Sequence, residues 1–117
     1  MKKLFKIIIL LFKKYSPLRI YQIIECENYF LRGQSLEFGA SVNFKKNFSS
    51  FVKGNSKFHY SNLDNFKSKK IIKLDLSKKL KIKSKNYDNI LILNVLEHMN
   101  NHSLTFKEIK RIIKKNG

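Results

Sequence analysis

The sequence is poor in several residue types, and each shortage excludes a class of protein. Its only cysteine is Cys26, so there is no internal disulfide and no thiolate metal cluster, and we expect a reducing, cytoplasmic location. It has one proline and four glycines and no low-complexity linker, and its length of 117 residues allows one small domain at most. Because 43% of the residues are hydrophobic, a disordered chain is not expected.

Acidic residues are also scarce, at 8 against 25 lysines and arginines, and the formal net charge is +17. Such an excess favours polyanionic partners in general. Only Arg19, Arg32 and Arg111 carry the planar guanidinium that reads bases, and the lysines are spread along the chain. A bias toward Lys, Ile and Asn also follows from an AT-rich coding sequence, so we do not expect specific nucleic-acid recognition.

Long hydrophobic runs are missing as well. Residues 1–12 imitate a secretory signal, but Lys6 interrupts the apolar stretch, and residues 7–12 are too few to span a membrane. No small-residue cleavage site precedes Pro17, so we do not expect secretion.

An amphipathic helix fits this N-terminal segment better. On a helix, Lys2, Lys6 and Lys13 lie within about 40° of one another. The broad apolar face that remains consists of Leu4, Ile8, Leu11 and Phe12. This face either packs on the domain, which we favour, or lies in an anionic membrane interface as a peripheral contact of residues 1–14.

Secondary-structure signals become regular after this segment. Pro17 suits the first turn of a helix with Ser16 as its N-cap, and helical spacing of apolar residues continues to Gly33, with Cys26 buried. Short apolar stretches predict strands at 35–38, 57–63, 70–74 and 87–95, and an amphipathic helix follows at 103–115. We therefore expect an α/β protein with a basic and apolar helical region at 1–33 and the main domain at 34–117.

Polar residues stand where these strands end. Asp64 follows the second strand and Asp75 the third, Asn94 lies at the end of the fourth, and the first strand runs into a turn at Gly39. In open parallel α/β sheets, ligands bind at the carboxyl ends of the strands. An acid after the second strand can accept both ribose hydroxyls, which points toward a nucleoside.

The order of these motifs resembles the class I S-adenosylmethionine-dependent methyltransferases, in particular the methyltransferase type 11 group. The similar segments are 36–40 (LEFGA), 60–64 (YSNLD), 74–76 (LDL), 87–98 (YDNILILNVLEH) and the helix at 106–117. The resemblance covers residues 36–117, and its most specific part begins at Tyr87. It implies a Rossmann-like, mostly parallel sheet of strand order 3-2-1-4 with flanking helices and an incomplete C-terminal half.

The resemblance also implies a cofactor, S-adenosylmethionine, and a place for each site residue. Glu37, Gly39 and Ser41 would surround the methionine part, and Asp64 would bind the ribose hydroxyls. Asp75 and Leu76 would flank the adenine, Asn94 would lie near the methionyl group, and His98 would be the candidate catalytic base, oriented by Glu97. The methyl acceptor would be a small-molecule, sugar or lipid-linked compound. Five of the eight acids then fall at site positions, namely Glu37, Asp64, Asp75, Asp88 and Glu97.

Departures from the family pattern leave alternatives open. Ser41 and Asn43 stand where two further glycines are usual, and residues 65–69 are too few for a crossover helix. The fourth strand should form an open edge that needs a covering partner, so we interpret the chain as a fragment of a methyltransferase domain. The alternatives are an inactive relative, or a non-enzymatic basic protein that binds anionic membrane or RNA. No metal site is predicted, because His59 and His102 lack partners at ligand spacing.

Overall fold

A computed structural model describes residues 1–117, which form three α-helices and six strands. The helices are α1 (Lys2–Phe12), α2 (Pro17–Cys26) and α3 (His102–Ile112), and the strands are β1 (Phe30–Leu31), β2 (Gln34–Phe38), β3 (Lys53–Gly54), β4 (Lys57–Asn62), β5 (Ile71–Lys73) and β6 (Asn89–Ile92). Single 3₁₀ turns occupy Phe44–Lys46, Phe48–Ser50 and Leu96–His98.

The main sheet has four parallel strands in the order β5-β4-β2-β6. This is the predicted order 3-2-1-4, which is therefore confirmed. Leu36 at the centre of β2 lies opposite His59 of β4 and Ile90 of β6. Because all four strands point the same way, their carboxyl ends meet at one edge of the sheet.

Helix α2 begins as predicted but ends early. The Ser16 hydroxyl accepts a hydrogen bond from the Arg19 N–H at 3.2 Å, which confirms the N-cap. The predicted continuation to Gly33 is wrong, because the helix ends at Cys26 and β1 pairs with β3. There the Lys53 N–H donates to the Tyr29 carbonyl at 2.9 Å, a distant partner that replaces the next helical turn.

The last strand and helix are also shorter than predicted. Residues 87–88 and 93–95 lie outside β6, and Asn94 adopts a positive φ of 59°, which an extended strand does not allow. Helix α3 stops at Ile112, because Ile113 forms a parallel bridge with Tyr87. The Lys114 N–H then donates to the Tyr87 carbonyl at 2.8 Å.

Both faces of the sheet are covered by different elements. One face carries the largest buried cluster, which consists of Leu36, Phe38, Leu74, Leu76, Leu80, Tyr87 and Ile112. The opposite face carries Cys26 of α2, Phe48 and Leu91 in a second cluster. Cys26 is buried and free, as predicted, and burial raises the pKa of its thiol, so it stays protonated. The predicted boundary between 33 and 34 stays a prediction, although α2 shares this cluster with the sheet.

Helix α1 packs on α2, but through another face than the one predicted. Ile7 and Leu10 contact Ile20 and Ile23, and Lys6 forms an ion pair with Glu27. The predicted apolar face of Leu4, Ile8, Leu11 and Phe12 is 42–85% exposed. That part of the prediction is wrong, because the short turn at 13–16 brings the opposite side of α1 onto α2. No helix of the chain has the length and apolar character needed to cross a bilayer.

Strand β6 forms the open edge that the sequence predicts. It pairs with β2 on one side only, and a groove of about 490 Å³ runs along it. Tyr29, Leu31, Leu93 and Ile113 are among the residues that line this groove. An unpaired edge of this kind exposes backbone donors and acceptors to any strand that can reach them.

Candidate active site

The turn after β2 requires a glycine. Gly39 has a φ of +74°, a conformation that residues with a Cβ rarely adopt. A Cβ at this position would lie only 2.7 Å from Cγ2 of Val95. The backbone at Gly39 therefore passes close to Val95, in the segment that follows β6.

Two asparagines hold this turn against its neighbours. The Asn62 side-chain amide donates to the Ala40 carbonyl at 2.9 Å, which ties the end of β4 to the turn. Asn47, which is buried, accepts from the Ser41 N–H at 2.7 Å and donates to the Ser41 carbonyl at 3.1 Å. Neither asparagine was among the residues predicted for the site, although the position of Asn62 at the end of a strand is a signal of the same kind as that of Asp64.

A small cavity lies at this edge of the sheet. Its volume is about 60 Å³, and it is lined by Phe38, Gly39, Asn62, Leu63, Leu74, Asp75, Leu76, Val95 and Met99. Three of the predicted cofactor-binding residues, Gly39, Asp75 and Leu76, thus meet in one place. Ligand pockets usually measure about 300–1,000 Å³, so a nucleoside fits only if Val95 and Met99 move outward.

Asp64 lies exposed at the same edge, outside the cavity. Its Oδ1 accepts the Phe66 N–H at 2.9 Å, an interaction that stabilises the turn after β4. The carboxylate itself faces solvent, and the half-buried Asn62 precedes it in the chain by two residues. Asp64 is thus free to accept hydroxyl donors from a ligand that enters over the turn.

Asp75 and Leu76 are two of the residues that line the cavity. The Ser77 hydroxyl donates to Asp75 Oδ1 at 2.5 Å and the Ser77 N–H at 2.9 Å. These bonds, with a weaker contribution from Lys78, lower the pKa of Asp75, so the carboxylate is ionised at neutral pH. Leu76 is a buried core residue, and its carbonyl accepts a hydrogen bond from the Thr105 hydroxyl at 3.1 Å.

Glu37 does not face the cavity. Alternation along β2 turns its side chain to the α2 side of the sheet, where it is only 2% exposed. Its two carboxylate oxygens accept the Phe48 N–H at 2.8 Å and the Ser49 N–H at 3.0 Å. Arg19 of α2 stacks over the Phe48 ring, with its guanidinium carbon 3.6 Å from the ring centroid. Glu37 therefore fixes the 3₁₀ turn Phe48–Ser50 beneath α2.

Asn94 and His98 also lie outside the cavity. The Asn94 amide forms a reciprocal pair with Gln22 of α2, at 2.7 and 3.1 Å. His98 is 75% exposed, and its Nε2 lies 4.0 Å from Oε1 of Glu97, beyond hydrogen-bonding distance. The cavity is closed instead by Val95 and Met99, which directly follow Asn94 and His98 in the chain.

Asp88 lies at the opposite end of the sheet. It precedes β6 and accepts the Gln34 N–H at 2.8 Å and the Lys114 ammonium at 3.0 Å. These bonds lower the pKa of Asp88, the Gln34 bond most strongly. Its predicted place among the site acids is wrong, because Asp88 stands at the amino end of its strand. No group of three or more histidine, cysteine or acidic side chains is arranged to hold a metal ion.

A four-stranded parallel sheet covered on both faces, with a glycine turn after a central strand, defines a Rossmann-like α/β protein. Residues 42–117, nearly two thirds of the chain, match a family model described as a methyltransferase domain of type 11. The chain therefore belongs to this methyltransferase family. The match includes the segments after β4, β5 and β6 that surround the cavity.

A solved structure has the same fold. It is a protein from Methanococcus maripaludis provisionally assigned as an S-adenosyl-L-methionine-dependent methyltransferase, with a TM-score of 0.58 and 18% sequence identity. The similarity covers 83% of this chain and 52% of that one, so the chain spans about half the length of the Methanococcus protein. Comparison with curated protein sequences gives no match.

Proposed function

We propose that this chain binds S-adenosylmethionine at the edge formed by the ends of β2, β4 and β5. The observation that carries the proposal is the meeting of the Gly39 turn, Asn62 and Asp75 around one cavity. Membership of the methyltransferase family supports the choice of cofactor. We further propose that the methyl group passes to a small-molecule, sugar or lipid-linked acceptor.

The residues at this edge fit such a cofactor by their chemistry. Asp64 offers an exposed carboxylate for the two ribose hydroxyls, and Asp75 and Leu76 offer an acceptor and an apolar wall for the adenine. The turn at Gly39 and Ser41 would lie beside the methionine part, and the missing Cβ of Gly39 would let the backbone come close to it. When bound, the cofactor supplies a methyl group activated by a sulfonium.

His98 is the proposed base of the reaction, in a supporting role. It is exposed on the segment that closes the cavity, so an acceptor over Val95 could reach it. Methyl transfer depends mainly on holding the acceptor in line with the methyl group, and a base is needed only for acceptors that must lose a proton. We propose supporting structural roles for Glu37 and Asn94, because both side chains are bound elsewhere.

The open edge of β6 is the proposed docking place for the rest of an active domain. The groove beside it is larger than the cavity, and mainly apolar residues line it. The similar Methanococcus structure is about twice as long as the matched region. A strand added to β6 would cover both the open edge and the groove beside it. We therefore propose that the chain is one part of a larger catalytic unit. We place that unit in the cytoplasm, because Cys26 is a free thiol.

Calorimetric titration of S-adenosylmethionine into the chain tests the cofactor proposal. We expect saturable binding that Asp64→Ala weakens by about 10- to 150-fold, because hydrogen bonds to a charged group contribute about 1.5–3 kcal/mol. Glu25→Gln, which removes a carboxylate from α2, is the matched control and should bind like the unchanged chain. Circular dichroism on each variant shows that it is folded.

Two results would contradict this proposal. Unchanged affinity in Asp64→Ala would remove the carboxylate from the site, and the ribose would have to bind elsewhere. Absence of saturable binding by the unchanged, folded chain would make it an inactive member of the family.

A further inference from the structure

Helix α1 has two apolar sides, and only one of them is used by the fold. Its inner side contacts α2 through Ile7 and Leu10. Its outer side carries six large apolar side chains that are 39–85% exposed: Leu4, Phe5, Ile8, Ile9, Leu11 and Phe12. At 100° per residue these six cover an arc of about 160° without a charged residue. We call this surface the outer face of α1.

The outer face continues onto α2. A groove of about 420 Å³ between the two helices is lined by Leu11, Pro17 and Tyr21, among others. Leu18, on the first turn of α2, is 62% exposed as well. Contiguous apolar patches of this kind are rare on monomeric proteins that contact only water, and they mark interaction sites.

Positive charges predominate around the outer face, and the acids next to it are Glu25 in the groove and Glu27, which pairs with Lys6. Residues 1–24 contain six cations and no acid, the cations being Lys2, Lys3, Lys6, Lys13, Lys14 and Arg19. Lys2 and Lys3 stand exposed at one end of the helix, and Lys13 and Lys14 stand exposed at the other. A second copy of the chain would bring the same cations, and a net charge of +17, against this surface. The complementary partner is a surface that is apolar below and anionic above.

We propose that the outer face of α1 lies in the interface of an anionic lipid bilayer. The six apolar side chains enter the acyl boundary, and the lysines at both ends of the helix contact the headgroups. Helix α1 has 11 residues and is about 16 Å long, so it lies along the surface and does not cross the hydrocarbon core of about 30 Å. The cavity edge of the sheet is unaffected, so this inference stands apart from cofactor binding.

Co-sedimentation with vesicles tests the apolar half of the proposal. The chain is mixed with vesicles of phosphatidylcholine and phosphatidylserine at 3:1, and with vesicles of phosphatidylcholine alone. We expect binding to the anionic vesicles. Phe5→Ser/Phe12→Ser should bind at least about 10-fold more weakly, because each change removes a large apolar side chain that would be buried in the membrane. Phe66→Ser/Phe106→Ser is the matched control, since these rings are 49% and 53% exposed elsewhere on the chain. The control should bind within about twofold of the unchanged chain.

Charge reversal tests the proposed contact between the lysines and the anionic headgroups. Lys13→Glu/Lys14→Glu should weaken binding to the anionic vesicles by at least about 10-fold, since each lysine near an anionic surface contributes about 1 kcal/mol. Lys81→Glu/Lys83→Glu changes the net charge equally in the loop next to α3, and should weaken it much less. Added salt should weaken binding of the unchanged chain.

Three results would overturn the inference. One is equal affinity for anionic and neutral vesicles, or none for either. Another is equal loss of binding in the test and control variants, which would indicate a general effect of net charge or of lost apolar surface. The third is a dimer, seen by sedimentation equilibrium, that Phe5→Ser/Phe12→Ser dissolves, which would make the outer face a contact between copies.

Discussion

Glu37 offers a sharp test of the structure, because its observed place differs from its expected one. The resemblance to the methyltransferases implies a carboxylate beside the cofactor, whereas the structure buries it between β2 and the turn Phe48–Ser50. In Glu37→Gln one amide oxygen can still accept an N–H, but the NH₂ group must face the other backbone donor. One hydrogen bond to a charged acceptor is lost, and one donor is left buried without a partner.

The expected cost follows from those two bonds. A hydrogen bond to a charged group contributes about 1.5–3 kcal/mol, so we expect Glu37→Gln to lower the free energy of unfolding by about 2–3 kcal/mol. For a domain of this size that corresponds to a fall in Tm of roughly 8–12 °C. Glu37→Ala leaves both donors unpaired and should cost more.

Urea and thermal unfolding followed by circular dichroism measure this effect. Glu97→Gln is the control, because that side chain is 55% exposed and its loss should change stability by less than about 0.5 kcal/mol. Titration of S-adenosylmethionine at low temperature, where both variants are folded, separates stability from binding. A Glu37→Gln chain that keeps its Tm within about 2 °C but loses cofactor binding would refute the structural role.

Two further predictions concern the α3 side of the sheet. The Arg111 guanidinium holds the pKa of Glu108 at about 2, below its usual 4.5, so the pair stabilises the fold above pH 4.5 and this stabilisation is lost as the pH falls toward 2. The free energy of unfolding, measured from pH 5 to pH 2, should therefore fall less steeply in Glu108→Gln than in the unchanged chain. An equal slope in both would contradict the stabilising role of the Glu108–Arg111 pair. Ile112→Ala should lower the free energy of unfolding by about 2–5 kcal/mol because this side chain is fully buried, whereas Ile72→Ala, at an exposed position of β5, should cost less than about 1 kcal/mol. Similar losses in both variants, measured by urea unfolding, would mean that α3 does not pack on the core as described.

Much of the fold was predictable from local patterns. The helix start at Ser16 and Pro17 needs only residues within one turn, and the apolar core of β6 is visible in three consecutive residues, Ile90–Ile92. The end of α2 was not predictable in this way, because the competing partner of residues 29–31 is the strand at Lys53–Gly54, more than twenty positions away. Local propensity decides an element only where no distant strand competes for the same backbone groups.

The residues of the candidate site likewise include some that the sequence predicts and some that only the structure reveals. Gly39 and Asp75 were predicted from their positions after strands and Leu76 from the resemblance, and all three line one cavity. Asn62 and Val95 were missed, because their importance comes from contacts with the turn after β2. Position in sequence identifies which residues lie at the sheet edge, but not which of them face the cavity.

The sequence by itself determined where most of the strands lie and which polar residues stand at their ends, because these depend on local alternation and spacing. The strand order and the family came from the resemblance of its motifs to the methyltransferases, and the sheet confirms that order. Only the tertiary structure decided that Glu37 supports a turn, that Asn94 pairs with Gln22, and that α1 leaves its outer face exposed. Each of these depends on which groups lie next to a side chain in the folded protein, and packing between elements distant in sequence sets those neighbours.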